Sequence, residues 1–201
     1  MSDLPRMGLL GGTFDPPHRG HLKIAHAAIE ALQLDGVIFL PAARNPMKRD
    51  RATVSGEHRL EMVRLLIQDD PRLAVSDMEL TRGGVSYTVD TIGELQMVQP
   101  AEYWFLMGSD MLANFPEWRN PQRILRLCRI GVVPRPPLTA LDVEARVPLE
   151  FHERFDVLPM APEETSSTEV RNAIRTGRLR PDAVPRPVLE YIKKHRLYPA
   201  A

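Results

Sequence analysis

The sequence has few of the features that mark secreted or membrane proteins. Of its 201 residues only one, Cys128, is cysteine, so a disulfide bond within the chain is excluded. No apolar run approaches the roughly 18 to 20 residues that a membrane-spanning helix needs, and the first residues lack the basic and apolar segments of a secretory signal. We therefore expect a cytoplasmic protein that has no membrane partner.

An excess of charge of either sign is also absent, since 26 Lys and Arg residues balance 26 Asp and Glu residues. Zero net charge argues against a polyanionic partner, and we expect no nucleic-acid partner. The balance hides a split, because residues 1–118 hold 11 basic and 16 acidic side chains whereas residues 119–201 hold 15 and 10. The basic excess includes four arginines that follow Ser166, namely Arg171, Arg175, Arg178 and Arg180. Taken alone, this cluster is typical of a solvated helix face.

Short apolar runs alternate with segments of helical period, a pattern typical of a parallel sheet covered by helices. The apolar runs predict strands at 7–11, 37–40, 73–76, 104–107, 130–133 and 155–158. The periodic segments predict helices at 22–32, 57–68, 88–97, 167–176 and 187–195, with Gly36 stopping the first and Ser55 capping the second. We predict a Rossmann-like α/β fold: a doubly wound, mostly parallel sheet in one domain over residues 1–201, with a small helical C-terminal extension from about residue 165.

The segment from Gly11 to His21, GGTFDPPHRGH, connects the first predicted strand to the first helix. Open parallel sheets bind ligands at this position. Gly11 and Gly12 allow backbone N–H groups to approach an anion, Thr13 adds a hydroxyl, and the helix N-terminus adds partial positive charge. His18 and His21 are three residues apart, so that both face one ligand on a first helical turn. The segment therefore predicts a ligand site suited to an anion.

A dinucleotide site, a P-loop and a zinc site all fit this segment less well. The dinucleotide fingerprint requires G-x-G-x-x-G and the P-loop requires G-x-x-x-x-G-K-[ST], and neither spacing is present. A zinc ion would need further ligands, which no nearby cysteine or carboxylate cluster supplies. Histidines that only cap a turn remain the alternative, but two of them directly after a Gly-Gly-Thr turn favour a bound ligand.

Two motifs resemble those of a nucleotidyltransferase superfamily. Residues 12–21, GTFDPPHRGH, match its signature [GST]-x-F-[DN]-P-x-H-x-G-H, and residues 165–171, TSSTEVR, are similar to its second motif, I-S-S-T-x-x-R. Within this superfamily the segments VSYTVDTI, FLMGSDMLANFPEW and PVLEYIKKHRLY resemble the bacterial nicotinate-nucleotide adenylyltransferases, and the resemblance runs from Met7 to Tyr198. It implies adenylyl transfer from ATP to nicotinate mononucleotide, which gives deamido-NAD and pyrophosphate, with Mg²⁺ as the metal.

The resemblance also implies a role for individual residues. His18 and His21 would contact the triphosphate as the catalytic pair. ATP and its phosphates would be bound by Gly11, Gly12, Thr13, Phe14, Lys48, Gly108, Asp110, Arg135, Ser166, Ser167, Thr168 and Arg171, with both the N–H groups and the hydroxyls of residues 166–168 at the β- and γ-phosphates. The acceptor would be bound by Tyr87, Thr88, Trp118 and Arg119, with the indole of Trp118 stacked on the pyridine ring. No side-chain ligand to a metal is expected, since Mg²⁺ would bridge phosphate oxygens.

The chain departs from the family pattern at two positions: Met47 stands in place of a histidine, with the cation of Lys48 kept beside it, and Thr165 stands in place of an isoleucine. Core packing is the alternative for Trp118, and a helix cap is the alternative for Asp110.

Two other functions stay open, a phosphopantetheine adenylyltransferase and a non-catalytic nucleotide-binding module of the same fold. The sequence decides neither the preference for nicotinate over nicotinamide mononucleotide, nor the oligomeric state, nor whether the loop at 42–53 closes over ATP.

Overall fold

The computed structural model describes residues 4–46, 54–135, 137–147, 149–161, 165–180 and 182–199. Six strands form one sheet: β1 Arg6–Gly12, β2 Gly36–Pro41, β3 Leu73–Val75, β4 Glu102–Gly108, β5 Arg129–Val133 and β6 Phe155–Val157. Eight α-helices accompany them in the described ranges: α1 Arg19–Leu32, α2 Gly56–Ile67, α3 Met78–Arg82, α4 Thr88–Val98, α5 Pro121–Leu127, α6 Ala140–Glu144, α7 Ser167–Arg175 and α8 Arg186–Lys194. Two 3-10 helices lie at Ser109–Glu117 and Leu149–Arg154.

The sheet has the strand order β3-β2-β1-β4-β5-β6, and each of these neighbouring pairs is parallel. This confirms the predicted Rossmann-like α/β fold. Since β1 pairs with β2 on one side and with β4 on the other, the direction of the strand order reverses at β1. Such a reversal opens a crevice at the carboxyl ends of the strands, where ligands bind in open α/β sheets.

Apolar side chains cover both faces of the sheet, as the near-continuous apolar strands require. Leu10 belongs to a core cluster on the face covered by α1, α2, α7 and α8, and its neighbour Leu9 belongs to a second cluster on the face covered by α4 and α5. The same alternation separates Phe39 from Leu40 on β2. Successive residues of a strand point to opposite faces, so two adjacent leucines stabilise two different helix layers.

The predicted strands are confirmed to within two residues at each end, and so is the cap of α2, where the Ser55 hydroxyl accepts the His58 N–H. The prediction for Gly36 was wrong. Helix α1 ends at Leu32 with Gln33 in a left-handed conformation, and Gly36 begins β2. The glycine is required there because a Cβ would lie 2.5 Å from the carbonyl oxygen of Arg72.

Three short helices, α3, α5 and α6, and both 3-10 helices were not predicted. Each of the three is five to seven residues long, which is too short for the hydrophobic period to repeat. Each helix among the described residues is also too short or too polar to cross a membrane.

Exchange of Gly36 for alanine tests the close approach of β2 and the segment before β3. We expect Gly36→Ala to lower the free energy of unfolding by about 1 to 3 kcal/mol, because the new methyl group overlaps a backbone oxygen that cannot rotate away. The matched control is Gly93→Ala within α4, where the nearest atom to a new Cβ is 3.7 Å away. This control should stabilise the protein by up to about 1 kcal/mol, the helix preference of alanine over glycine. Urea unfolding measures both, and equal effects would contradict the assignment.

Candidate active site

A cavity of about 540 Å³ lies at the carboxyl ends of the central strands. Its walls come from the β1–α1 loop, the segment before α4, the segment after β4 and the start of α7. All predicted site residues except Lys48 line it, namely Gly11, Gly12, Thr13, Phe14, His18, His21, Tyr87, Thr88, Gly108, Asp110, Trp118, Arg119, Arg135, Ser166, Ser167, Thr168 and Arg171. Lys48 and Met47 lie outside the described residues. The fold thus brings two motifs that are far apart in sequence to one site.

The β1–α1 loop is shaped by close packing around Phe14. A Cβ on Gly12 would lie 3.0 Å from the ring of Phe14, so the glycine is needed for this approach. Phe14 has a positive φ of 51° and is only 2% exposed, with its ring against Phe39 and His21 at centroid distances of 5.6 and 4.9 Å. A bulky residue adopts this conformation seldom, and here burial of the ring holds it.

His18 and His21 form a contacting pair at the start of α1. The main-chain N–H of His18 donates to Nδ1 of His21 at 3.1 Å, and the two ring centroids are 3.8 Å apart. His18 occupies the N-cap position in an extended conformation and is 3% exposed. Because Nδ1 of His21 accepts this bond, a neutral His21 ring carries its proton on Nε2, which can then donate to a ligand.

Two arginines bind carbonyl oxygens of the same loop. Nη1 of Arg59, on α2, donates to the carbonyl of Thr13 at 2.8 Å, and Nη1 of Arg171, on α7, donates to that of Asp15 at 2.6 Å. Arg59 is 2% exposed, and this burial lowers the pKa of its guanidinium while Asp15 opposes the change. The hydroxyl of Thr13 is buried with no hydrogen-bond partner among the described residues.

The hydroxyls at the start of α7 have hydrogen-bond partners within the protein. Ser166 caps the helix, accepting the Glu169 N–H at 3.2 Å and donating to the Glu169 carboxylate at 2.9 Å. The hydroxyl of Ser167 donates to the carbonyl of Pro16 at 2.9 Å, and that of Thr168 accepts from Arg171 at 3.2 Å. The Ser166 hydroxyl thus caps the helix, and the Ser167 hydroxyl binds it to the β1–α1 loop. The groups suited to bind an anion here are the backbone N–H groups of the first turn.

The end of β4 brings a carboxylate and a guanidinium together. Oδ1 of Asp110 lies 3.5 Å from Nε of Arg135, and the main-chain N–H of Arg135 donates to the Ser109 hydroxyl at 2.9 Å. A Cβ on Gly108 would overlap the Asp110 carboxylate and lie 2.7 Å from Nε of Arg135. Glycine at this strand end therefore permits the ion pair.

The other end of the cavity is aromatic. Trp118 is half-buried and packs edge-on against Phe105 at a centroid distance of 5.8 Å. The guanidinium of Arg119 lies 4.7 Å from the ring centre of Tyr87, the N-cap residue of α4, and donates to Asp90 at 2.9 Å. This end combines a large apolar ring with the N-terminus of a helix, an arrangement suited to a flat ring that carries an anionic group.

Sequence reasoning missed four residues that support the site. Asp15, Arg59, Ser86 and Glu79 are all buried. Glu79 lines the cavity and accepts from the Thr91 hydroxyl at 2.7 Å, while the Ser86 hydroxyl accepts the Ala43 N–H at 3.0 Å. Asp15 stood within the recognised motif, but the partners of the other residues are distant in sequence and gave no local signal.

No group of three or more His, Cys, Asp or Glu side chains suited to a metal ion occurs within the described ranges. The side chains present there do not fit a metal held by the protein alone. Any divalent cation at this site would need most of its ligands from the substrate and water.

Comparison with known proteins identifies relatives over nearly the whole chain. Residues 9–173 match the model of the family described as cytidylyltransferase-like. A Bordetella petrii protein named "Probable nicotinate-nucleotide adenylyltransferase" is 41% identical over 197 residues, which cover 97% of this chain and 100% of that protein. A Geobacter metallireducens protein of the same name is 38% identical over 211 residues, covering 96% of this chain and 98% of that protein.

Solved structures show the same fold. Nicotinic acid mononucleotide adenylyltransferase of Plasmodium falciparum, solved in complex with APC and with NaAD, has a TM-score of 0.77 to this chain in both cases. Each comparison covers 96% of this chain and 97% of that chain, at 16% and 15% identity respectively. At this identity the similarity concerns the fold alone.

Replacement of Thr13 by valine tests whether its buried hydroxyl lacks a partner in the folded protein. We expect Thr13→Val to leave the free energy of unfolding unchanged or to raise it by up to about 1 kcal/mol, because an unpaired hydroxyl is unfavourable in a buried position. Thr91→Val is the matched control, since the Thr91 hydroxyl donates to Glu79 and accepts from Arg82. That variant should lose about 1 to 3 kcal/mol. An equal loss in both, measured by urea unfolding, would show that the Thr13 hydroxyl is paired.

Proposed function

This chain belongs to the cytidylyltransferase-like family and, within it, to the nicotinate-nucleotide adenylyltransferases, and we propose that its cavity performs that reaction. ATP and nicotinate mononucleotide are joined to give deamido-NAD and pyrophosphate, a step of NAD biosynthesis. One observation carries the assignment to this cavity: helix N-termini, a histidine pair and Arg171 line one part of it, and Trp118 lines another. A triphosphate and a pyridine ring require these two environments.

The reaction makes little demand for acid–base chemistry. A phosphate oxygen of nicotinate mononucleotide attacks the α-phosphorus of ATP, a new P–O bond forms, and the bond from that phosphorus to the β-phosphate oxygen breaks. The attacking phosphate is already ionised near pH 7, so no side chain has to remove its proton. The protein must instead align two polyanions and offset charge on the transferring group.

We place the phosphates of ATP at the N-terminal ends of two helices. The N-termini of α1 and α7 offer partial positive charge and backbone N–H groups. We assign His18 to the α-phosphate, where charge develops, and since Nδ1 of His21 accepts the His18 N–H, Nε2 is the ring nitrogen of His21 that would meet the phosphates. Arg171 adds a fixed cation, since its guanidinium is bound to the Asp15 carbonyl and to the Thr168 hydroxyl.

We place nicotinate mononucleotide, the acceptor, at the aromatic end of the cavity. The indole of Trp118 offers a face to the electron-poor pyridinium ring, a stacking and cation–π contact. Backbone N–H groups at Tyr87 and Thr88 begin α4 and would meet the ring carboxylate. Arg119 holds this segment through Tyr87 and Asp90, and therefore serves mainly to position it.

Mg²⁺ would enter with ATP, coordinated by phosphate oxygens, because the described side chains offer it no cage.

We also propose one nucleotidyltransferase domain over residues 1–201, since Val170 on α7 and Val188 on α8 share a core cluster with Leu10 on β1. We also propose a cytoplasmic location, where ATP is available.

Release of pyrophosphate tests the proposed reaction. Purified protein with ATP and Mg²⁺ should release it with nicotinate mononucleotide, and more slowly with nicotinamide mononucleotide, because the amide lacks the negative charge that the N-terminus of α4 favours. The ratio of the two kcat/KM values measures this preference. Turnover with phosphopantetheine alone would overturn the proposal.

His18→Ala should lower kcat by about 100-fold or more, the effect of losing a donor at the transition state, with little change in unfolding temperature. His26→Ala is the control, since His26 lies on the same helix and bonds to Asp70 instead. Its kcat should equal that of the wild type. Wild-type turnover in His18→Ala would remove His18 from the mechanism.

Trp118→Ala should raise KM for nicotinate mononucleotide by about tenfold or more, because stacking of a base on an aromatic ring contributes about 1 to 3 kcal/mol. KM for ATP should change little. Trp104→Phe is the control, since Trp104 lies near the opposite end of β4 and bonds to Asp156 at 2.8 Å. Equal effects on the KM values for nicotinate mononucleotide and ATP, measured by steady-state kinetics, would show that Trp118 serves core packing and does not bind the acceptor.

A further inference from the structure

The segment after α8 returns to the β1–α1 loop. Helix α8 ends at Lys194, and the N–H of Leu197 bonds to the carbonyl of Ile192 at 3.0 Å. Arg196 and Tyr198 both have positive φ values, 50° and 56°. Residues with a side chain adopt this conformation seldom, so contacts made by the segment must hold it in place.

The strongest of these contacts is a buried hydrogen bond. The Tyr198 hydroxyl donates to Oδ1 of Asp15 at 2.6 Å, and the two residues are 5% and 4% exposed. Burial raises the pKa of the Tyr198 hydroxyl, as does the bond to Asp15, although Arg171 and Arg59 oppose the change. The hydroxyl therefore stays protonated at neutral pH and acts as a donor rather than as a base.

Asp15 lies in the part of the loop on which the site depends. It follows Phe14, with its positive φ of 51°, and lies between Thr13 and His18. Its Oδ2 is 3.8 Å from Nη1 of Arg171. The loop is therefore held from three directions: by Arg59 on α2, by Arg171 on α7, and by Tyr198 after α8.

We propose that Tyr198 is a positioning residue for adenylyl transfer, which fixes through Asp15 the loop that places Thr13 and His18 at the ATP phosphates. The inference rests on the proposed function. Without the hydroxyl, the buried Asp15 carboxylate has one donor fewer and is drawn toward Arg171 or toward water. A displacement of about 1 Å at reacting groups can cost about 100-fold in rate, so a small shift of this loop is measurable.

Tyr198→Phe removes the hydroxyl and keeps the ring. We expect kcat to fall about tenfold, with KM for nicotinate mononucleotide unchanged because other elements form the acceptor end. The matched control is Tyr103→Phe, which removes another buried tyrosine hydroxyl, bonded to the carbonyl of Gln99 at 2.5 Å and placed near the start of β4. The control should lose thermal stability to a similar extent and keep the wild-type kcat.

The other side of the bond provides a second test, which also serves if Tyr198→Phe does not fold. Asp15→Asn keeps an oxygen that can accept the Tyr198 bond and should retain kcat to within about threefold, whereas Asp15→Ala should lose about tenfold or more. Adding Tyr198→Phe to Asp15→Ala should lower kcat no further. Equal kcat in the Asn and Ala variants, or independent effects in the double variant, would contradict positioning through this bond.

Wild-type protein measured in parallel separates the two proposals. Absence of wild-type turnover with every acceptor would refute the proposed function itself. Normal turnover in both wild type and Tyr198→Phe, or an equal fall of kcat in Tyr198→Phe and Tyr103→Phe, would overturn only the role of Tyr198.

Discussion

The reversal of strand order at β1 determines where this protein can bind a ligand. It directs the loop after β1 and the segment after β4 into one crevice, and α7 closes that crevice from the far end of the sequence. Helices that begin at this edge present their N-termini to it, so their backbone N–H groups are suited to bind an anion without an excess of cationic side chains. The rest of the fold holds the β1–α1 loop in place through buried hydrogen bonds to the loop carbonyls and to the carboxylate of Asp15.

This arrangement reconciles a chain of zero net charge with two polyanionic substrates. The arginines at the cavity each have a carboxylate nearby: Arg135 with Asp110, Arg119 with Asp90, and Arg171 with Asp15. Arg171 is the best fixed of these cations, since its guanidinium is mostly buried and donates to the Asp15 carbonyl, and fixed dipoles and charges need little reorganisation when charge develops on the transferring group. Of the arginines that follow Ser166, only Arg171 lines the cavity, while Arg175, Arg178 and Arg180 are exposed. The interpretation as a solvated helix face therefore holds for Arg175 at the end of α7, while Arg178 and Arg180 lie in the exposed segment after the helix.

Most of the fold could be predicted because its strands and longer helices are set by short-range patterns of apolar residues. The pattern failed where the element is too short for a period to repeat, as in α3, α5 and α6. It also failed at Gly36, since the reason for that glycine is the Arg72 carbonyl on a neighbouring segment rather than the end of α1.

At the site, the sequence alone predicted which residues carry the chemistry, because the motif around His18 and His21 is local and lies at the start of α1. The tertiary structure decided what those residues bond to. The Ser166 and Ser167 hydroxyls cap α7 and bind the loop, and Asp15 meets Tyr198 across a separation of 183 residues. A buried carboxylate needs a donor, but nothing in the chain near Asp15 shows which one. Only the packing of α2, α7 and the segment after α8 around the loop supplies that partner, since hydrogen bonds depend on distance in space.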